Sequence, residues 1–194
     1  EYKREVAFHR TLTEFQYALS DGRITYHLQP QVDMETGEII GAEALTRWID
    51  KDGPLISPAT FIPALEESGF VVTLDKYIWQ GVASWLRGRI DRGLRVVPVS
   101  LNVSRVDILA CDVAEHMGAL AAQYNLPPEL MRIEITETAY TGESEAVDKL
   151  TADLHTRGFS TYMDDFGTGQ STLAMLKNVN VDVIKLDRTF VPTD

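Results

Sequence analysis

A single cysteine, Cys111, rules out an internal disulfide, which fits a reducing compartment. The expected location is the cytoplasm, or the cytoplasmic part of a membrane-anchored protein. No apolar run reaches the length of a membrane span, and no basic leader precedes a short apolar segment at the start, so no direct membrane contact by this segment is expected. Positive charge is scarce: 18 Lys and Arg against 29 Asp and Glu give a formal net charge of −11. A field of that sign repels DNA, RNA and anionic bilayers, so no DNA partner is expected and any phosphate ligand must be met by local cations. Repeats and low-complexity tracts are missing too. His9, His27, His116 and His155 lack metal-ligand spacing and read as surface or satisfied side chains.

What is present is 194 residues, 44% hydrophobic and 24% charged, enough for one globular domain with a sizeable core. The chain opens at Glu1 inside a helical pattern, Phe8, Leu12, Phe15 and Leu19. Residues 1–20 are therefore expected to form a helix continuing from an upstream domain, and the chain to be a piece of a longer protein.

Six segments read as strands, 24–32, 38–47, 96–103, 131–136, 159–165 and 181–187, with helical patterns in most of the gaps. Asp33–Gly37 is a short turn, so the first two strands are expected to pair antiparallel; parallel βα units follow. Helix signals lie at 58–67, opened by Ser57-Pro58, and at 71–89 after the Gly69 break. Trp79, Trp85 and Met117 read as packing residues, and the alanine-rich 118–122 as helix.

At the ends of these strands stand Glu43, Asn102, Glu134, Asp164 and Asp165, with Lys185 after them. The last intervals, Asn102 to Glu134 and Glu134 to Asp164, are 32 and 30 residues, close to the ~30 residues of one βα repeat. Alternation turns Asn102, Glu134 and Lys185 away from the apolar face of their strands, toward a barrel interior. Glu43, Leu45 and Arg47 share one face of the second strand. A lone strand-end glutamate is ordinarily just solvated; a matched series is how a barrel builds one pocket. Four carboxylates and one amide form an all-oxygen donor set suited to a hard divalent cation and not to zinc, which suggests a metal-dependent hydrolytic site. Asp-Phe-Gly at 165–167 also occurs in kinases, but no Gly-rich loop or His-Arg-Asp run accompanies it.

These residues resemble a known family. Gln29-Pro30 with Gly41-Ala42-Glu43-Ala44-Leu45-Thr46-Arg47-Trp48 looks like the signature of EAL domains, bacterial cyclic di-GMP phosphodiesterases. Ser57-Pro58, Phe61-Ile62-Pro63, Glu66-Glu67-Ser68-Gly69, Asn102-Val103-Ser104, Glu134-Ile135-Thr136-Glu137, Asp164-Asp165-Phe166-Gly167-Thr168-Gly169 and Ile184-Lys185-Leu186-Asp187 follow in the family's order, over about residues 10 to 192.

The resemblance implies an α/β fold, a modified (β/α)8 TIM-type barrel with an antiparallel first strand, here one domain over 1–194 lacking its last two strands. It implies second-messenger signalling by hydrolysis of cyclic di-GMP to linear pGpG, supported by Mg²⁺ or Mn²⁺, with two ions. Glu43, Asn102, Glu134 and Asp164 would be metal ligands, and Asp165 a ligand or bridge to the second ion. Lys185 would orient or activate the attacking water, which makes Lys185, Glu43 and Asp165 the catalytic group. Gln29, Leu45 and Arg47 would contact substrate. Glu137 would hold the loop after the fifth strand, and Asp187 would support Lys185 or the ions. A homodimer and an upstream sensory or diguanylate cyclase-like domain are implied as partners.

Two departures stand out. Gln170 occupies a position where the family commonly has an aromatic, and the chain stops at Asp194, before the family's later glutamate-bearing strand. The alternative reading is a catalytically impaired EAL domain acting as a cyclic di-GMP receptor or protein-interaction module. An enolase-like metal barrel would keep the carboxylates but leave the flanking motifs unexplained.

Overall fold

The computed structural model describes residues 2–167 and 180–187. A first helix, α1 (Tyr2–Ser20), leads into β1 (Ile24–Val32) and β2 (Ile39–Ile49). Asp33 closes the turn between them: its Oδ1 accepts hydrogen bonds from the backbone of Glu35 and Thr36, and Gly37 supplies the left-handed residue at φ 73°. The strands pair antiparallel, with Gln29 opposite Glu43, as the sequence predicts.

The short β3 (Leu55–Ile56) adds to the far end of β2, Ile56 opposite Trp48. It escapes a pattern search because two residues carry no periodicity. Then come α2 (Pro58–Ser68) and α3 (Val71–Asp91), followed by the alternation β4 (Val99–Val103), α4 (Arg105–Ala110), α5 (Val113–Gln123), β5 (Met131–Thr136), α6 (Glu137–Gly142), α7 (Ser144–Thr156), β6 (Ser160–Phe166) and β7 (Val183–Leu186). The predicted strand over 96–103 begins only at Val99: Pro98 has no N–H for a ladder, and it contributes only its carbonyl, to Ala42 N–H at 3.0 Å.

The sheet runs β1-β2-β4-β5-β6-β7, parallel from β2 onward. Among the described residues, β1 and β7 each have one neighbour, so the sheet is a partial barrel. Its outer face carries Val99, Leu101, Met131, Ile133 and Ile135, all fully buried. Leu74, Ile78, Val82 and Leu86 of α3 join them in one core, at the four-residue steps that put one helix stripe against a sheet. Met117 of α5 and Val147 and Leu154 of α7 complete it. Because successive side chains of a strand alternate, packing this face inward to the helices turns Asn102 and Glu134 to the concave side.

Candidate active site

Parallel pairing sets the functional positions level with one another: Asn102 lies opposite Glu134 across β4 and β5, and Thr136 opposite Asp164 across β5 and β6. Lys185 rises from β7 into the middle. Its Nζ lies 2.9 Å from Glu43 Oε2, 2.8 Å from Glu134 Oε2 and 3.1 Å from Asp164 Oδ1. Asn102 Nδ2 donates to Glu43 Oε1 at 3.4 Å. Five of the residues singled out in the sequence are thus one contact set, drawn from five strands.

Glu134 is 1% exposed. Burial pushes its carboxyl up, as does the Glu43 charge, while the Lys185 hydrogen bond pulls it back. Lys185 experiences the reverse. Burial draws the ammonium down, but the hydrogen bonds and charges of Glu134 and Glu43 outweigh it and hold the group above its ordinary value. With these carboxylates around it, Lys185 is held as a cation that donates hydrogen bonds to them.

One oxygen each from Glu43, Glu134 and Asp164 lie within 4.8 Å of one another. Glu134 Oε1 is buried with no hydrogen-bond partner, an orphan acceptor of the kind a cation satisfies. All donors are oxygens, so the residues fit Mg²⁺ or Mn²⁺. Asn102 would have to offer its amide oxygen, which a half-turn of the amide provides.

Asp165 stands apart from that carboxylate triad. It is exposed and left-handed, at φ 57°, and the β6–β7 register shifts between Met163 and Phe166. Aspartate is one of the few residues other than glycine that enter this region readily. Burial, then Asp164 and Asp187, raise its carboxyl, against Lys185. Glu137, 1% exposed at the start of α6, accepts from Gly167 N–H at 2.5 Å, tying the end of β6 to β5. Asp187 donates its N–H to Phe166 O at 3.2 Å. Thr168, Gly169 and Gln170 lie outside the described residues.

Leu45 and Arg47 line a cavity of about 280 Å³ beside the carboxylates, together with Ile62, Glu66, Val71, Asp75 and Asn102. Gln29 is exposed on β1, level with Glu43 but not in that cavity. Of the histidines, His155 is satisfied by Thr161 Oγ1 at 2.9 Å and Asp182 Oδ2 at 3.1 Å. Trp79, read as packing alone, also donates its Nε1–H to Asn102 O at 3.0 Å.

Sequence reasoning gave no role to Asp75 or Asp107, and named Glu66 only within a motif. Ser104-x-x-Asp107 carried a readable capping-box signal, with both reciprocal bonds formed; Asp75 gives no sequence signal, because only tertiary packing brings α3 to α4.

A family model described as EAL domain matches residues 12–194. The chain is 30% identical to the probable cyclic di-GMP phosphodiesterase PdeB of Escherichia coli, over 91% of this chain and 34% of PdeB. It is 32% identical to the cyclic di-GMP phosphodiesterase RocR of Pseudomonas aeruginosa, over 96% of this chain and 47% of RocR. It thus spans less than half of either relative. The solved structure of the PaMucR phosphodiesterase in its c-di-GMP complex superimposes with a TM-score of 0.86 at 28% identity, covering 93% of this chain and 73% of that one.

Proposed function

The chain belongs to the EAL domain family, and from that premise we propose that it hydrolyses cyclic di-GMP to linear pGpG. The observation that carries the proposal is the convergence of Glu43, Asn102, Glu134, Asp164 and Lys185 at one mouth of the sheet. Glu43, Asn102, Glu134 and Asp164 would hold one Mg²⁺ or Mn²⁺, and Asp165 would be a ligand of a second. Bound there, a divalent ion supplies charge stabilisation for the phosphorane-like transition state and lowers the pKa of water.

The protein's own groups do the rest. Lys185, kept protonated, donates to the incoming water or to a non-bridging phosphate oxygen as negative charge develops. The water oxygen bonds phosphorus, one bridging P–O3′ bond breaks, and the proton released by the water ends on the 3′-oxygen. Arg47 offers a guanidinium fork to phosphate oxygens. Leu45, Ile62 and Val71 present an apolar wall, while Glu66 and Asp75 present acceptors, so the cavity suits one purine with donor N–H groups. Gln29 meets a base or ribose edge at the rim. Glu137 keeps the Gly167 turn in place as substrate enters.

The biological setting is part of the proposal: a bacterial signalling protein of the cytoplasm, homodimeric, regulated by an upstream sensory or diguanylate cyclase-like domain. Among the described residues, no helix is long and apolar enough to cross a membrane.

The test is cyclic di-GMP turnover with Mg²⁺ or Mn²⁺, following linear product, in the wild type and Glu43→Ala. Turnover abolished by the substitution supports the hydrolase. Metal-sensitive binding without turnover in the wild type replaces it with a receptor, and a metal stoichiometry of one removes the second ion.

A further inference from the structure

A second cavity, of about 180 Å³, lies between α1, the far end of β2, β3 and α2. Its lining is of two kinds: Trp48, Ile56 and Phe61 form an apolar wall, and Arg10, Arg23 and Lys51 bring cations. Trp48 is held from both sides. Its ring stands edge-on to Phe61 of α2, centroids 5.1 Å apart, and to Phe15 of α1 at 6.0 Å. The indole Nε1–H of this wall residue is buried and has no hydrogen-bond acceptor, a donor of the kind a ligand oxygen satisfies.

The cations are only partly used by the protein itself. Arg23 reaches Glu14 at 3.9 Å and Asp21 at 3.5 Å, and donates to Ile49 O. Arg10 and Lys51 are exposed and form no ion pair among the described residues. Three cations against Glu14 and Asp50 leave the lining one positive charge in excess, in a chain whose formal net charge is −11. A dianion such as a phosphate monoester would meet two wall carboxylates, whereas a single negative charge matches the excess. Size narrows the choice further. An apolar cavity of ~150 Å³ admits benzene, so about 180 Å³ takes one ring with its carboxylate and excludes a nucleotide.

We propose that this cavity binds a small aromatic monocarboxylate of the hydroxybenzoate class. The ring lies against Trp48, Ile56 and Phe61, the carboxylate meets Arg10 and Lys51 at the rim, and the ring hydroxyl oxygen gives Trp48 Nε1–H its acceptor.

Such a ligand would bear on the neighbouring cavity. Trp48 follows Arg47 along β2, and successive residues of a strand face opposite ways; Phe61 precedes Ile62 on α2. Arg47 and Ile62 line the cavity beside the carboxylates, so one strand end and one helix form a wall common to both spaces. A ligand that fixes Trp48 and Phe61 also fixes the backbone carrying Arg47 and Ile62, and by linkage the two occupants alter each other's affinity by the same factor. The effect on KM rests on the hydrolysis proposed above; binding in this cavity does not.

The experiment follows the indole N–H resonances of the isotope-labelled full chain, which has 3 tryptophans, as para-hydroxybenzoate is added. Trp48→Phe assigns the resonance of interest; should that variant fail to fold, the one that neither Trp79→Phe nor Trp85→Phe removes is Trp48. It is expected to move saturably, with a Kd on the order of 1 mM, the strength of a ligand this small. Arg10→Gln and Lys51→Met change exposed side chains, so both are expected to fold and to weaken binding about two- to fivefold each, the worth of a solvent-exposed ion pair. Benzamide, a similar ring without charge, is expected to move the resonance far less. A Trp48 resonance that does not move below about 10 mM, an equal response to benzamide, or binding untouched by both variants overturns the site. Saturating para-hydroxybenzoate is expected to change KM for cyclic di-GMP, and an unchanged KM overturns the coupling to Arg47. If the resonance titrates as expected while cyclic di-GMP is never hydrolysed, the hydrolase reading fails and the ring-acid site stands.

Discussion

Replacing Lys185 with methionine keeps most of the side chain's volume and removes the cation that, among the described residues, touches Glu43, Glu134 and Asp164. Breaking a buried charge pair from one side costs about 3–5 kcal/mol. Here the lysine side chain is 26% exposed and that of Glu134 0%, so solvent softens one end only and about 2–3 kcal/mol remains. For a chain of this size that lowers Tm by about 4–12 °C in the presence of a chelator. The pH dependence follows from Glu134. Without the lysine, burial and the Glu43 charge raise its carboxyl unopposed. An acid with a raised folded pKa costs stability as pH rises through the window between unfolded and folded values, so the deficit grows upward from about pH 4.3 and fades below it. Divalent ions replace the lost charge, so Mn²⁺ should raise Tm more in Lys185→Met than in the wild type, while turnover stays low. Thermal unfolding followed by tryptophan fluorescence, with chelator or Mn²⁺ at several pH values, reads all three. A deficit indifferent to pH and to metal would refute the charge argument and leave only lost packing.

Glu137→Gln weakens the bond that fixes Gly167; a hydrogen bond to a charged group contributes about 1.5–3 kcal/mol, so kcat should fall about tenfold or more with metal affinity unchanged, and an unaltered kcat would remove Glu137 from the positioning role. Gly41→Ala would set a Cβ 2.5 Å from Arg132 Nη1 and 2.6 Å from Gln31 Oε1. Both are the ends of flexible side chains, so the cost is the Arg132–Gln31 hydrogen bond, about 0.5–1.5 kcal/mol in urea unfolding, and a larger loss would show that Arg132 cannot move aside. Arg47→Ala should raise KM for cyclic di-GMP by about tenfold, the loss of about 1.4 kcal/mol of binding, and an unchanged KM would place the phosphate elsewhere.

Local pattern carried the fold far. Alternation in 97–103 and 131–136 predicted which side chains face the concave side, and the Asp33–Gly37 turn predicted the hairpin and its pairing. What escaped depended on distance in the chain. The β2–β3 pairing joins Trp48 to Ile56 with no periodic signal, and the bond from Trp79 on α3 to Asn102 O spans 23 residues. The strand ends made the Glu43, Glu134 and Asp164 grouping legible, whereas the seating of Lys185 among all three is visible only in three dimensions.

The left-handed residue at Asp165 has an evolutionary corollary. Aspartate and asparagine both occupy that region of backbone space with little strain, and their codons differ at one base. Neutralising this side chain therefore lies a single nucleotide change away and asks nothing new of the main chain at φ 57°, whereas valine or isoleucine there would strain the strand end itself. Lineages descending from this sequence can shed charge at the mouth of the sheet while keeping the β6 turn and its tether to Glu137 intact, so loss of charge and loss of shape are separable events at this position.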